Sequence, residues 1–150
     1  MRPKLRIPPQ ELRAYQQRYD YTADPKLDHI RPAAKSQGYI TVAQLHELAL
    51  WKSRRRAALA KANPEGFVRE ITAFSFTARH EHSRIGALIL LKGVQYPTAS
   101  VILHFCVDRT YPILDFRAIW SLGLEKPAVY TPAYWVQYVW QYSREYQRDA

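Results

Sequence analysis

Apolar residues recur at three- and four-residue intervals through most of this chain, and no segment alternates apolar and polar positions convincingly enough to predict paired strands. The pattern predicts an all-α fold, a compact multi-helix domain spanning residues 1–150. Behind a basic tail at residues 1–8, Pro8-Pro9 is expected to open a short helix with Leu12, Tyr15 and Tyr19 at helical spacing. Between Tyr21 and Gly38, two prolines, several charges and the lack of a period predict an irregular connection. Thr41 is then the expected N-cap of a helix carrying Val42, Leu45, Leu48, Ala49 and Lys52 on one side, which runs into the basic stretch ending at Arg56. Asn63-Pro64-Glu65 reads as an N-cap followed by a first-turn proline and acid, opening a helix with Phe67, Val68, Ile71, Phe74 and Ala78 on its apolar face.

Residues 83–91 predict another short apolar helix, Lys92-Gly93-Val94-Gln95 a tight turn, and Pro97 to Phe105 a buried helix with a first-turn proline. The expected arrangement is helix, hairpin, helix. A short helix from Leu114 to Leu122 is expected to stop at Gly123, and Thr131-Pro132 to cap and start a final helix reaching about Arg148.

Composition adds a partner class. Lys and Arg number 22 against 13 Asp and Glu, a formal charge of +9, which favours a polyanion such as nucleic acid or an anionic membrane surface. The single cysteine, Cys106, excludes an intramolecular disulfide and any multi-cysteine metal site built from this chain alone. The N-terminus lacks the apolar run of a signal peptide, and no stretch approaches the roughly 20 apolar residues of a membrane span. The expectation is a cytoplasmic protein with no membrane partner.

The segment Leu91 to Ser100 has the chemistry of a hairpin that presents backbone to phosphate: Gly93 permits close approach, and the following helix begins with unpaired N–H groups and a positive dipole end. Leu91-Lys92-Gly93-Val94-Gln95-Tyr96-Pro97-Thr98-Ala99 resembles the hairpin of the helix-hairpin-helix DNA glycosylase superfamily, which reads approximately Leu-Pro-Gly-Val-Gly-x-x-Thr-Ala and is followed by an aspartate. Tyr111-Pro112-Ile113-Leu114-Asp115 looks like the Phe-Pro-Ile-Leu-Asp of the adenine-specific mismatch glycosylases. Asp115 also lies eighteen positions after Pro97, the separation that the family keeps between its catalytic lysine, or its replacement, and the aspartate.

The resemblance, which covers about residues 83–125, implies that Asp115 stabilises a cationic sugar or orients an attacking water. Its other reading is an N-cap of the helix that follows, and the two roles are compatible. Pro97 in the lysine position implies no Schiff-base nucleophile there, and hence no strand-nicking step. Gln95 stands where the family has a second glycine; a left-handed backbone would strain it, predicting an altered turn or a weakened phosphate grip. Lys92, Gly93, Val94, Gln95, Tyr96 and Thr98 are the implied DNA contacts of the hairpin. No metal or organic cofactor is implied, and a monovalent cation bridging hairpin carbonyls and a phosphate is compatible with the resemblance.

Trp51-Lys52-Ser53-Arg54-Arg55-Arg56 offers a second candidate DNA contact through Lys52, Arg54, Arg55 and Arg56, or alternatively a solvated helix end whose cations complement the C-terminal dipole. Arg117 is open to DNA or to a local acid. His80 and His82 read as an exposed polar loop, and His104 and Cys106 as core residues. The final helix carries an aromatic stripe that suits core packing, with Tyr134, Trp135 and Tyr138 as candidate walls of a base pocket. The expected function is a monofunctional DNA N-glycosylase acting on double-stranded DNA. The alternatives are a noncatalytic helix-hairpin-helix DNA-binding module and a protein-interaction subunit.

Overall fold

The computed structural model of the chain describes residues 4–18 and 27–146, with side chains through residue 144. Among these, nine α-helices and one 3-10 turn form the fold, with no strand: α1 (Pro9–Arg18), a 3-10 turn (Leu27–His29), α2 (Ile30–Gln37), α3 (Val42–Lys52), α4 (Arg54–Ala60), α5 (Glu65–Thr77), α6 (Glu81–Leu88), α7 (Tyr96–Cys106), α8 (Phe116–Ser121) and α9 (Pro132–Tyr146). No helix among the described residues is long and apolar enough to cross a membrane.

The centre of the fold is α7, where eight of eleven residues are buried, a helix covered on every side rather than on one stripe. It packs on α2, α3 and α6, and α9 closes over α6. Leu45 and Leu48 of α3, Ile85 and Leu88 of α6, Val101, Ile102 and Leu103 of α7, and Trp135 and Tyr138 of α9 are enclosed in one continuous core. Arg31 of α2 donates to the carbonyls of His104 (2.7 Å) and Phe105 (3.1 Å), putting a cation at the negative end of α7.

Local signals set most boundaries. Thr41 and Gln44 form a reciprocal capping box at the start of α3. Thr131 accepts from the amide of Tyr134 to start α9, and Gly123 ends the α8 turn with φ 71°. The sequence expectation differs from the structure in four places. Residues 27–37 are helical rather than irregular: Ile30 and Ala34 point into the core one turn apart, Pro32 sits in the first turn where its missing N–H is harmless, and Gly38 caps α2 with φ 78°. Tyr21 to Asp24 and the two residues after them lie outside the described residues.

Asn63 is not a helix cap, because Pro64 takes that position in α5 and leaves the Asn63 side chain for another task. The buried face of α5 is Val68, Thr72 and Ser75, while Phe74 is 54% exposed. Thr72 is satisfied by accepting from the amide of Ile40 and donating to the carbonyl of Val68. Finally, the segment expected as a tail docks from residue 4 onward: the amide of Arg6 donates to the carbonyl of Ser121 at 2.8 Å, and Leu5 packs against the core. Residues 1–3 of that tail, and Arg148 of the final helix, lie outside the described residues.

Candidate nucleic-acid interface around Asp115

The turn between α6 and α7 is built from the inside out. Leu91 and Val94 are buried, and the amide of Val94 donates to the carbonyl of Leu91 at 3.1 Å. Asn63 clamps the exposed Lys92 through its backbone, accepting from the Lys92 amide (2.8 Å) and donating to the Lys92 carbonyl (3.0 Å) and to that of Ala60 (2.9 Å). Gly93 has φ 79°, and a Cβ there would lie 2.9 Å from Cβ of Leu59 and 3.0 Å from the amide nitrogen of Ala60. Its close approach is therefore to α4, and glycine is required for both conformation and space.

Gln95 does not strain the turn. Its φ of −117° and ψ of 177° are extended, so the sequence-based concern about a left-handed glutamine does not arise. The side chains of Val94 and Thr98 are buried, which leaves Lys92 and Gln95 as the exposed side chains of the turn with Tyr96 beside them. The carbonyls of Leu91 and Lys92 and the amides of Lys92 and Val94 are engaged inside the protein.

The basic cluster divides between two helices, with Lys52 in the last turn of α3, as a helix end requires, and the three arginines at the start of the next. α3 stops at Lys52, Ser53 takes an extended φ of −157°, and Arg54, Arg55 and Arg56 occupy the first turn of α4. Cations in a first turn oppose the helix dipole, and none of the three arginines forms an ion pair among the described residues. Arg54 and Arg55 are exposed, whereas Trp51 turns inward and packs edge-on against Phe105 at 5.4 Å. Of this cluster it is the backbone of Arg56 that approaches the turn, its carbonyl oxygen lying 3.3 Å from a Cβ placed at Gly93.

Asp115 is the N-cap of α8, with φ −142° and ψ 146°. Its Oδ1 accepts from the amide of Arg117 at 2.9 Å, and its Oδ2 accepts from Nζ of Lys52 at 3.2 Å. Partial burial opposes ionisation of the carboxyl, but the Arg117 amide and the Lys52 ammonium outweigh it and hold the pKa below the usual carboxylate value. The segment is positioned from α7: Ser100 Oγ accepts from the amide of Leu114 at 2.8 Å and donates to the carbonyl of Pro97 at 2.6 Å. The residue before Asp115 is thus tied to Ser100 of α7, and through it to Pro97.

Aromatic groups lie near this carboxylate. The rings of Tyr96 and Tyr130 are 6.2 Å apart, those of Tyr130 and Tyr134 5.8 Å, and burial followed by the Asp115 charge raises the pKa of Tyr130. Trp135 and Tyr138 are 0% and 1% exposed, so they are core side chains that line no open surface; Tyr134 remains partly exposed. Tyr138 donates to the carbonyl of Ile113 at 2.9 Å, and Glu81 accepts from Tyr111 Oη and from Trp135 Nε1 (3.3 Å), joining α6 to α9. His104 Nδ1 lies 2.7 Å from the carbonyl of Tyr111, and burial lowers its pKa despite that bond. Burial pushes the Cys106 thiol up to about 12, so it is not a nucleophile.

The pairing of Lys52 with Asp115, the Asn63 clamp and the proximity of Tyr130 had no sequence signal, because each joins elements distant in the chain. Arg117 is 79% exposed at its side chain, with Nη1 4.0 Å from Asp115 Oδ1. A groove of about 910 Å³ opens between residues 6–7 and α8; Arg117 lines it and Asp115 does not. Among the described residues no group of three or more His, Cys, Asp or Glu is arranged to hold a metal ion. Comparisons with protein-family models, with curated proteins and with solved structures find no match.

Proposed function

We propose that this protein is a DNA-binding protein of the helix-hairpin-helix DNA glycosylase type, and that it hydrolyses the glycosidic bond of a modified or mismatched base with Asp115 as the charge-stabilising carboxylate. The observation that carries this reading is the pair of ties that fix an ionised Asp115, the Leu114 amide on Ser100 of α7, the helix that follows the Lys92–Gln95 turn, and the Asp115 carboxylate on Lys52 of the basic stretch. The resemblance of Leu91–Ala99 and Tyr111–Asp115 to the hairpin and aspartate of that superfamily supports the same reading.

In this mechanism the arginines and Lys92 take phosphates, and a base leaves the duplex stack. As the bond between the base nitrogen and C1′ breaks, its electron pair leaves with the base, and Asp115 faces the positive charge that develops on the sugar. Water then supplies the hydroxyl at C1′ and the proton that the departing nitrogen takes up. The partly exposed edge of Tyr96, Tyr130 and Tyr134 offers a surface on which a base would stack.

A second reading is a noncatalytic DNA-binding module. It is favoured by the engagement of both Asp115 oxygens, one in the cap of α8 and one with Lys52. The deciding experiment measures base release from duplexes carrying oxidised, alkylated, deaminated and mismatched bases, comparing the native chain with Asp115→Asn. Release that collapses in the variant supports the glycosylase; salt-sensitive duplex binding with no release on any substrate leaves the module.

A further inference from the structure

The groove beside α8 is not lined by Asp115, though it adjoins that carboxylate through Arg117, and it has a chemistry of its own. Phe116 and Trp120 are four residues apart, so they share one face of α8 about 6 Å apart along its axis. They are 54% and 52% exposed. Each ring carries a guanidinium: Arg117 lies 4.6 Å from the Phe116 centroid and Arg6 lies 5.1 Å from that of Trp120. Lys126 adds a third cation, and Glu125 is the single acid among the lining residues.

The backbone fixes this arrangement. Arg6 is held by the hydrogen bond that its amide donates to the Ser121 carbonyl, and Gly123, at φ 71°, leaves room for the backbone of Lys4, whose carbonyl oxygen a Cβ at that position would overlap. Arg6 therefore reaches Trp120 because the N-terminal segment is seated across the end of α8.

We propose that this groove binds single-stranded nucleic acid, with successive bases stacking on Phe116 and Trp120 and with Arg6, Arg117 and Lys126 neutralising the adjoining phosphates. Exposed rings interleaved with cations are what sequence-tolerant strand binding requires, since every base offers a π-face and every nucleotide a negative charge. Charge selects this occupant over a second copy of the chain, which would bring its own +9 toward a groove already rich in cations. An acidic protein segment would satisfy the cations but would leave the two projecting rings without flat partners.

The test measures binding of dye-labelled oligothymidylate and oligouridylate to the full chain by anisotropy, with a blunt duplex in the same buffer. Trp120→Ala and Phe116→Ala are each expected to weaken oligomer binding roughly ten-fold, while Trp120→Phe keeps most of the affinity. Arg6→Ala is expected to lower the slope of log affinity against log salt by about 0.7, the single-strand value for one phosphate contact. Thermal midpoints check folding, and Phe116→Ser replaces any alanine variant that melts early. Unchanged oligomer affinity in the ring variants overturns the proposal. So does a tighter, Trp120-dependent complex with polyglutamate, or a dimer in sedimentation that Trp120→Ala dissolves while oligomer binding persists. Loss of oligomer binding with normal base release isolates the groove, and the reverse result overturns the Asp115 reading alone.

Discussion

Nζ of Lys52, at the end of α3, lies 3.2 Å from Oδ2 of Asp115, at the start of α8, and the side chains retain only 15% and 32% of their exposure. The pair joins the two stretches that the sequence marked separately, one as a basic cluster and one as a candidate carboxylate. It also makes the ionisation of Asp115 depend on an element far away in the chain.

Replacing Lys52 by methionine removes the charge and keeps most of the stem. The Asp115 carboxyl is then expected to titrate at higher pH, as read by its carbon chemical shift in a pH series. Because its folded pKa lies below the unfolded value of about 3.9, the native carboxylate contributes stability that is present above that value and lost as pH falls through the folded pKa. Acid unfolding of Lys52→Met should begin at higher pH, with a neutral-pH loss of about 1 kcal/mol for this partly buried pair. Coincident acid transitions would show that the pair does not set the Asp115 charge.

Asp115→Asn and Asp115→Ala separate capping from chemistry. Asparagine caps as well as aspartate, so its helix-capping contribution should persist, whereas alanine is expected to cost about 1 kcal/mol. Urea unfolding measures both. If the glycosylase reading holds, the two variants release base equally poorly despite their different stabilities; activity that follows stability instead would assign Asp115 to structure.

Gly93→Ala adds a methyl group where φ is 79° and the nearest atoms, in Leu59 and Ala60, are at 2.9 and 3.0 Å. Left-handed backbone costs about 1–2 kcal/mol and overpacking about 1–3, so a loss of roughly 2–5 kcal/mol in urea unfolding is expected. Ser100→Ala leaves the buried amide of Leu114 without its acceptor, at about 1–3 kcal/mol. Amide exchange should accelerate at Leu114 in the second variant and around Lys92 to Val94 in the first.

Arg54 and Arg55 are exposed in the first turn of α4, where the helix dipole opposes them. Arg54→Ala and Arg55→Ala should each reduce the slope of log duplex affinity against log salt by about 0.9 if each side chain neutralises one phosphate. Neither should lower stability; each is expected to raise it by a few tenths of a kcal/mol through relief of the dipole. An unchanged salt slope would remove α4 from the duplex contact.

The sequence by itself determined the helical character of the chain, because the three- and four-residue spacing of its apolar side chains and the signals at Thr41, Pro97, Asp115, Gly123 and Thr131 are local properties of the backbone. It also marked Gly93 and the turn around it. Tertiary structure decided the rest. Ile30 and Ala34 make a helix because α7 and its neighbours supply the core that an eight-residue segment cannot build alone. Trp135 and Tyr138 became core while Tyr134 kept a partly exposed edge, since the aromatic stripe does not say which of its rings α6 and the Tyr111–Ile113 segment will cover. The environment of Asp115 depends on Lys52 and Ser100, and that of Gly93 on α4, through contacts between segments whose separation in the chain carries no periodic signal. Burial and charge pairing are properties of the packed molecule, and they appear only when its helices meet.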